Sequence, residues 1–106
     1  MAFSYLNRNQ SVNGAGQAVP NNRTPEGVVS PYQTFVVSMT GTGTVSASVQ
    51  IQGSNDGVNW CNIGSAMTGS STAPVSQEAN TSFQQFQAVV SSITGTAAAV
   101  TTTMGV

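Results

Sequence analysis

The sequence predicts an all-β fold: an antiparallel β-sandwich or jelly-roll-like body with an extended N-terminal arm. Three observations predict it. After Tyr32, apolar and polar residues alternate in several runs, which is the period of a half-buried strand. Clusters of Gly, Asn, Asp, Ser and Thr punctuate those runs, as turns do in all-β domains. Residues 1–31, by contrast, hold Pro20, Pro25 and Pro31 among many Asn, Gln and Gly residues and show no sustained period. The division is therefore an arm over 1–31 and a body over 32–106. At 106 residues, a single domain can bury ~60–70% of its unfolded surface.

Within the arm, Phe3-Ser4-Tyr5-Leu6 alternates enough to form a short strand or anchor. The arm is expected to be ordered only by contact with the body or a neighbouring subunit, and its removal is expected to leave the body folded. In the body, Phe35, Val37 and Met39 fall on one strand face, and Thr40-Gly41-Thr42-Gly43 is expected to break that run. Val45, Ala47, Val49 and Ile51 then alternate with Ser46, Ser48, Gln50 and Gln52. Ser54-Asn55-Asp56-Gly57 signals a turn, because Asn, Asp and Gly tolerate left-handed backbone. Val58 to Ile63 is expected to be the return strand, with Trp60 packed on the core.

The remaining runs are weaker. Gly64 to Pro74 reads as a short strand plus loop with Met67 reaching the core, and Val75 to Thr81 as a polar connection. Phe86, Ala88, Val90 and Ser92 share a face before Thr94-Gly95-Thr96, which is expected to turn the chain. Ala98, Val100, Thr102 and Met104 mark a final strand, an edge candidate. Ser38-Met39-Thr40-Gly41-Thr42 echoes Ser92-Ile93-Thr94-Gly95-Thr96, which suggests two similar hairpins. Six to eight short strands argue for a sandwich.

Charge is nearly absent. Arg8, Arg23, Glu26, Asp56 and Glu78 are the whole set, with no Lys and no His, where ordinary domains carry about a quarter charged residues. Such a surface meets little repulsion when it is covered by another protein. A Ser/Thr-rich secreted module is the alternative. Two separated arginines make no basic patch for nucleic acid, and no apolar run approaches the ~20 residues of a membrane span. Residues 1–10 lack the apolar stretch of a secretory signal, so synthesis in a cytoplasm is expected.

No catalytic set emerges. Without His or Lys, the usual bases and the Schiff-base nucleophile are missing, and Glu26, Asp56 and Glu78 are isolated from one another. No Cys/His spacing suits zinc, and Asn55 with Asp56 lacks the further oxygens calcium needs. No enzyme activity, metal or cofactor is expected. Cys61 has neither a histidine partner nor a disulfide partner, and a small buried residue is the expectation.

The run Ser54-Asn55-Asp56-Gly57-Val58-Asn59-Trp60, after Val49-Gln50-Ile51-Gln52-Gly53, resembles the hairpin of small β-sandwich proteins of tailed-phage virions. Phe86 to Val100 resembles a later hairpin of the same family. The resemblance implies a capsid decoration or cement protein, a homotrimer by preference, that binds the major capsid protein or another virion protein. The same hairpin is similar to discoidin-like carbohydrate-binding sandwiches, although the Arg-rich strand of that family is absent. A glycan-binding or host-attachment module and a tail or neck adaptor are therefore alternatives. In the leading reading Phe3, Tyr5, Leu6, Arg8 and Arg23 make the arm's contacts, while Asn55, Asp56, Gly57 and Trp60 hold the hairpin.

Overall fold

The structure is a computed structural model and describes residues 3–21, 31–71 and 73–105. Two long strands dominate it: β4 (Gln33–Ser54) and β8 (Gln85–Gly105). They pair antiparallel from Thr34↔Gly105 to Ser54↔Gln85. Six short strands line their outer edges. β1 (Phe3–Gln10), β2 (Gly14–Ala15) and β3 (Val19–Pro20) pair with β8, while β5 (Cys61–Asn62), β6 (Met67–Ser70) and β7 (Val75–Ala79) pair with β4. Every pairing is antiparallel, so the fold is all-β and a single antiparallel sheet.

That sheet cannot be flat. A straight strand of 22 residues would span about 70 Å at ~3.3 Å per residue, yet the longest dimension of the molecule is 44 Å. The bend falls where the inward alternation lapses. Gln33, Phe35, Val37 and Met39 are buried, residues 40–44 are exposed, and burial resumes at Val45. Opposite them, Phe86, Ala88 and Val90 are buried, most of 91–97 is exposed, and Ala98 resumes the buried series. The ladder slips between Thr40 and Thr42 and again between Thr42 and Ser46. Gly43, Gly95 and Ala97 have φ of +73°, +121° and +53°. Extra residues of this kind bend a strand without ending it. A Cβ on Gly95 would stand 2.5 Å from Val45 Cγ1, so the close approach at the bend requires glycine there.

The two Thr-Gly-Thr segments are thus not hairpin turns. Thr42 faces Thr96 in one ladder, and both segments are the bend of a continuous strand. The folded sheet closes its buried face on itself. Phe35 pairs with Met104 and Phe86 with Gly53, yet the two rings meet with centroids 5.7 Å apart. Gly69 of β6 lies against Val37 and Met39 from the other half. The layers are sandwich-like, but they are two halves of one sheet.

Other expectations change with this topology. The run after Ala97 is the second half of β8 and sits between β1 and β4, not at an edge. Residues 75–79 form a strand, β7, on the outer side of β4. The predicted return strand shortens to Cys61 and Asn62. Cys61 is exposed, because Ile63 rather than Cys61 reaches the core from this short edge piece. Met67 is in the core as expected.

Residues 3–21 do not stand clear of the body. Leu6 and Val19 belong to the core cluster, and Asn7 and Asn21 are buried. β1 runs along the second half of β8, while β2 and β3 run along its first half. Residues 22–30, with Arg23, Pro25 and Glu26, lie outside the described residues.

Among the described residues, side-chain amides link segments that are distant in sequence. On one side of the fold, Asn7 Nδ2 reaches from β1 to the Ala88 carbonyl in the other half at 3.2 Å. Beside it, the backbone N–H of Gln17 donates to the Leu6 carbonyl at 2.8 Å. On the opposite side, Gln77 Nε2 of β7 donates to the Ile63 carbonyl at 3.0 Å. Gln33 fixes Thr81 by donating to its carbonyl and accepting from its N–H and hydroxyl. A neutral amide supplies both donor and acceptor without the desolvation penalty of a buried charge.

Thr102 is fully buried, and its hydroxyl finds no hydrogen-bond partner among the described residues. A buried unpaired hydroxyl carries a penalty, so Thr102→Val should stabilise the fold by ~1 kcal/mol. Urea unfolding measures this directly, and a loss of stability would show that the hydroxyl is satisfied in solution.

Candidate interaction site along the N-terminal strand

The predicted contact residues are sorted by the outward and inward faces of β1. Tyr5 pairs with Thr103, which pairs with Val36. This row lies on the face opposite the core, since Leu6, Met104, Phe35 and Val37 are all buried. Leu6 is therefore a core residue and no contact residue. Phe3 enters the sheet through its backbone, opposite Gly105. Arg23 lies outside the described residues.

Tyr5 and Arg8 come together. The Arg8 guanidinium carbon stands 4.8 Å from the Tyr5 ring centroid, a cation–π contact that at an exposed site is worth ~0.5–1 kcal/mol. Both line a cleft of about 630 Å³ between β1 and residues 16–20, with Asn7, Gln10 and Gln17 among its walls. Gln10 holds the approach to β2 by donating to the carbonyls of Val12 and Gly14 at 2.8 and 3.0 Å. It also accepts from Asn7 Nδ2 at 2.7 Å. Asn9, at φ +50°, takes the left-handed conformation that Asn accepts more readily than most residues. Asn9 N–H and Oδ1 both meet the Thr101 hydroxyl. Among the described residues, the cleft thus has one cation, one aromatic ring and a frame of amides.

The hairpin residues form a second, self-contained unit. Asp56 Oδ1 accepts from the N–H groups of Val58 and Asn59, both at 2.8 Å. It also accepts from the Ser54 hydroxyl at 3.1 Å. Asp56 Oδ2 accepts from Asn59 Nδ2 at 2.7 Å. The Asn59 N–H first, and the Val58 N–H next, hold the carboxyl well below the usual carboxylate range. The sign follows from a lowered pKa: this contribution to the loop is present above the ordinary Asp pKa and is lost only as pH falls through the depressed one. Gly57 has φ +77°, as the predicted turn needs. Asn55 Oδ1 accepts from Gln84 N–H at 3.3 Å, which ties the loop to the start of β8.

Trp60 does not anchor this loop in the core. It is only part-buried and lies outside the core cluster, which Ile63 joins and against which Phe83 packs. Phe83, itself part-buried, meets Phe86 edge-on at 6.4 Å. The outer face beside the loop carries an amide ladder: Gln87 Nε2 donates to Gln52 at 2.8 Å, and Gln52 Nε2 donates to Asn62 at 3.0 Å. Sequence reasoning missed these amides, although Gln50 and Gln52 alternate visibly with core residues.

Among the described residues, no three His, Cys, Asp or Glu side chains gather in a way that could hold a metal ion. No protein-family model matches the chain, and no curated protein or solved structure matches it.

Proposed function

We propose that this chain is a non-enzymatic structural protein of a tailed-phage virion that acts by assembly, as a capsid decoration or cement protein. The observation that carries the reading is the near-absence of charge on a body with strands at its edges. Of the charged side chains among the described residues, Asp56 is engaged by its own loop, which leaves Arg8 on β1 and Glu78 on β7. Edge strands usually carry charges that deter pairing with other chains. Edges with one charge each, below faces of Ser, Thr and Gln, suit a covered position better than a free one. The phage setting is supported by the resemblance of residues 54–60.

In this reading the chain is a homo-oligomer, a trimer by preference, seated on the major capsid protein. It is made in the host cytoplasm and recruits no cofactor and no nucleic acid. It binds the assembled lattice and stabilises it by mass action. The test is to add the purified chain to capsids that lack it. Saturable binding with a raised capsid melting temperature is expected; no binding, with no change in melting, would contradict the proposal.

A further inference from the structure

We infer that the Arg8–Tyr5 corner of one copy receives Glu78 from the β7 edge of a second copy, so that the copies join head to tail. This inference rests on the assembly reading above. The half-sheet order runs β1, β8, β4, β7, which puts Arg8 and Glu78 at its two opposite edges. Both charges serve the same face. Glu78 pairs with Thr34, two residues from Val36, and the row Tyr5–Thr103–Val36–Ser76 crosses the outer face beneath Arg8. Three antiparallel pairings separate β1 from β7, so the two edges run in opposite directions. A copy placed alongside by translation would therefore offer its β7 antiparallel to β1.

The charges are complementary, and the contact of Arg8 with the Tyr5 ring leaves its charge unneutralised. Both side chains are exposed, and no ion pair joins them to anything among the described residues. Asp56 cannot substitute for Glu78, since its two oxygens are taken by Ser54, Val58 and Asn59. Gln17 N–H already occupies the Leu6 carbonyl, so side chains on the outer face make this contact rather than an extended hydrogen-bond ladder. An exposed ion pair adds little affinity alone; on a surface this poor in charge it fixes register and excludes like-charged approaches. A head-to-tail contact of this kind is heterologous and gives a ring if the rotation closes.

The test is charge exchange on the full chain, read by sedimentation equilibrium. Arg8→Glu and Glu78→Arg should each raise the dissociation constant of the oligomer by about tenfold or more, and the double exchange should return it to within about threefold of the original. Arg8→Gln and Glu78→Gln supply the same cycle should a reversal variant misfold, with the double variant no worse than either single one. An oligomer indifferent to the single exchanges, or a double variant no better than the singles, overturns the contact and leaves the assembly reading standing. A monomeric parent chain overturns both.

Discussion

A chain lacking residues 1–21 is expected to lose cooperative folding. Removal strips Leu6 and Val19 from the core, each worth ~1.5–3 kcal/mol of burial. It unpairs the whole outer edge of β8, where β1, β2 and β3 lie. It also deletes the Asn7–Ala88 and Gln17–Leu6 hydrogen bonds that join the two halves of the sheet. Domains of this size are stable by only ~5–15 kcal/mol, so these losses together reach the total. Circular dichroism on heating should show no sharp transition. A truncated chain that melts cooperatively within a few degrees of the full one would restore the arm-and-body division expected from composition.

Phe35→Ala should be the most damaging single substitution, at ~3–5 kcal/mol. Phe35 is fully buried and meets Phe86 across the fold. The two rings come from opposite halves of the bent sheet, so the vacated space lies where the layers touch and neither strand can close it alone. Chemical denaturation measures the loss. A value below ~1.5 kcal/mol, the range of volume-conserving swaps, would mean that the halves do not pack as described.

Much of this core is legible in the sequence. Alternation alone places Phe35, Val37, Met39, Val45, Ala47, Val49 and Ile51 on one face, and likewise Phe86, Ala88, Val90, Ala98, Val100, Thr102 and Met104. What alternation cannot tell is whether Thr-Gly-Thr ends a strand or bends it. Gly and Thr fit both, and the decision rests on the partner strand, which here carries the same motif opposite. Burial of Asn7, Asn21 and Gln33 was equally hidden, because an amide inside a fold and one in a loop look alike until its long-range partner is known. Trp60 and Cys61 erred in the other direction. Their apolar character favours the core, but β5 is a two-residue edge piece, and it is Ile63 that enters the core beside it, with Phe83 packed against that core. Of the residues expected to make contacts, Tyr5 and Arg8 are exposed on β1, while the buried Leu6 shows the limit of reading an irregular segment as an arm.

The proposed assembly is tested most directly by electron cryo-microscopy of virions proposed to carry the chain. It should show several copies in symmetric groups on the capsid surface, with the β1 edge of one copy facing the β7 edge of the next. Particles without the chain, or isolated copies with both edges open to solvent, would contradict it.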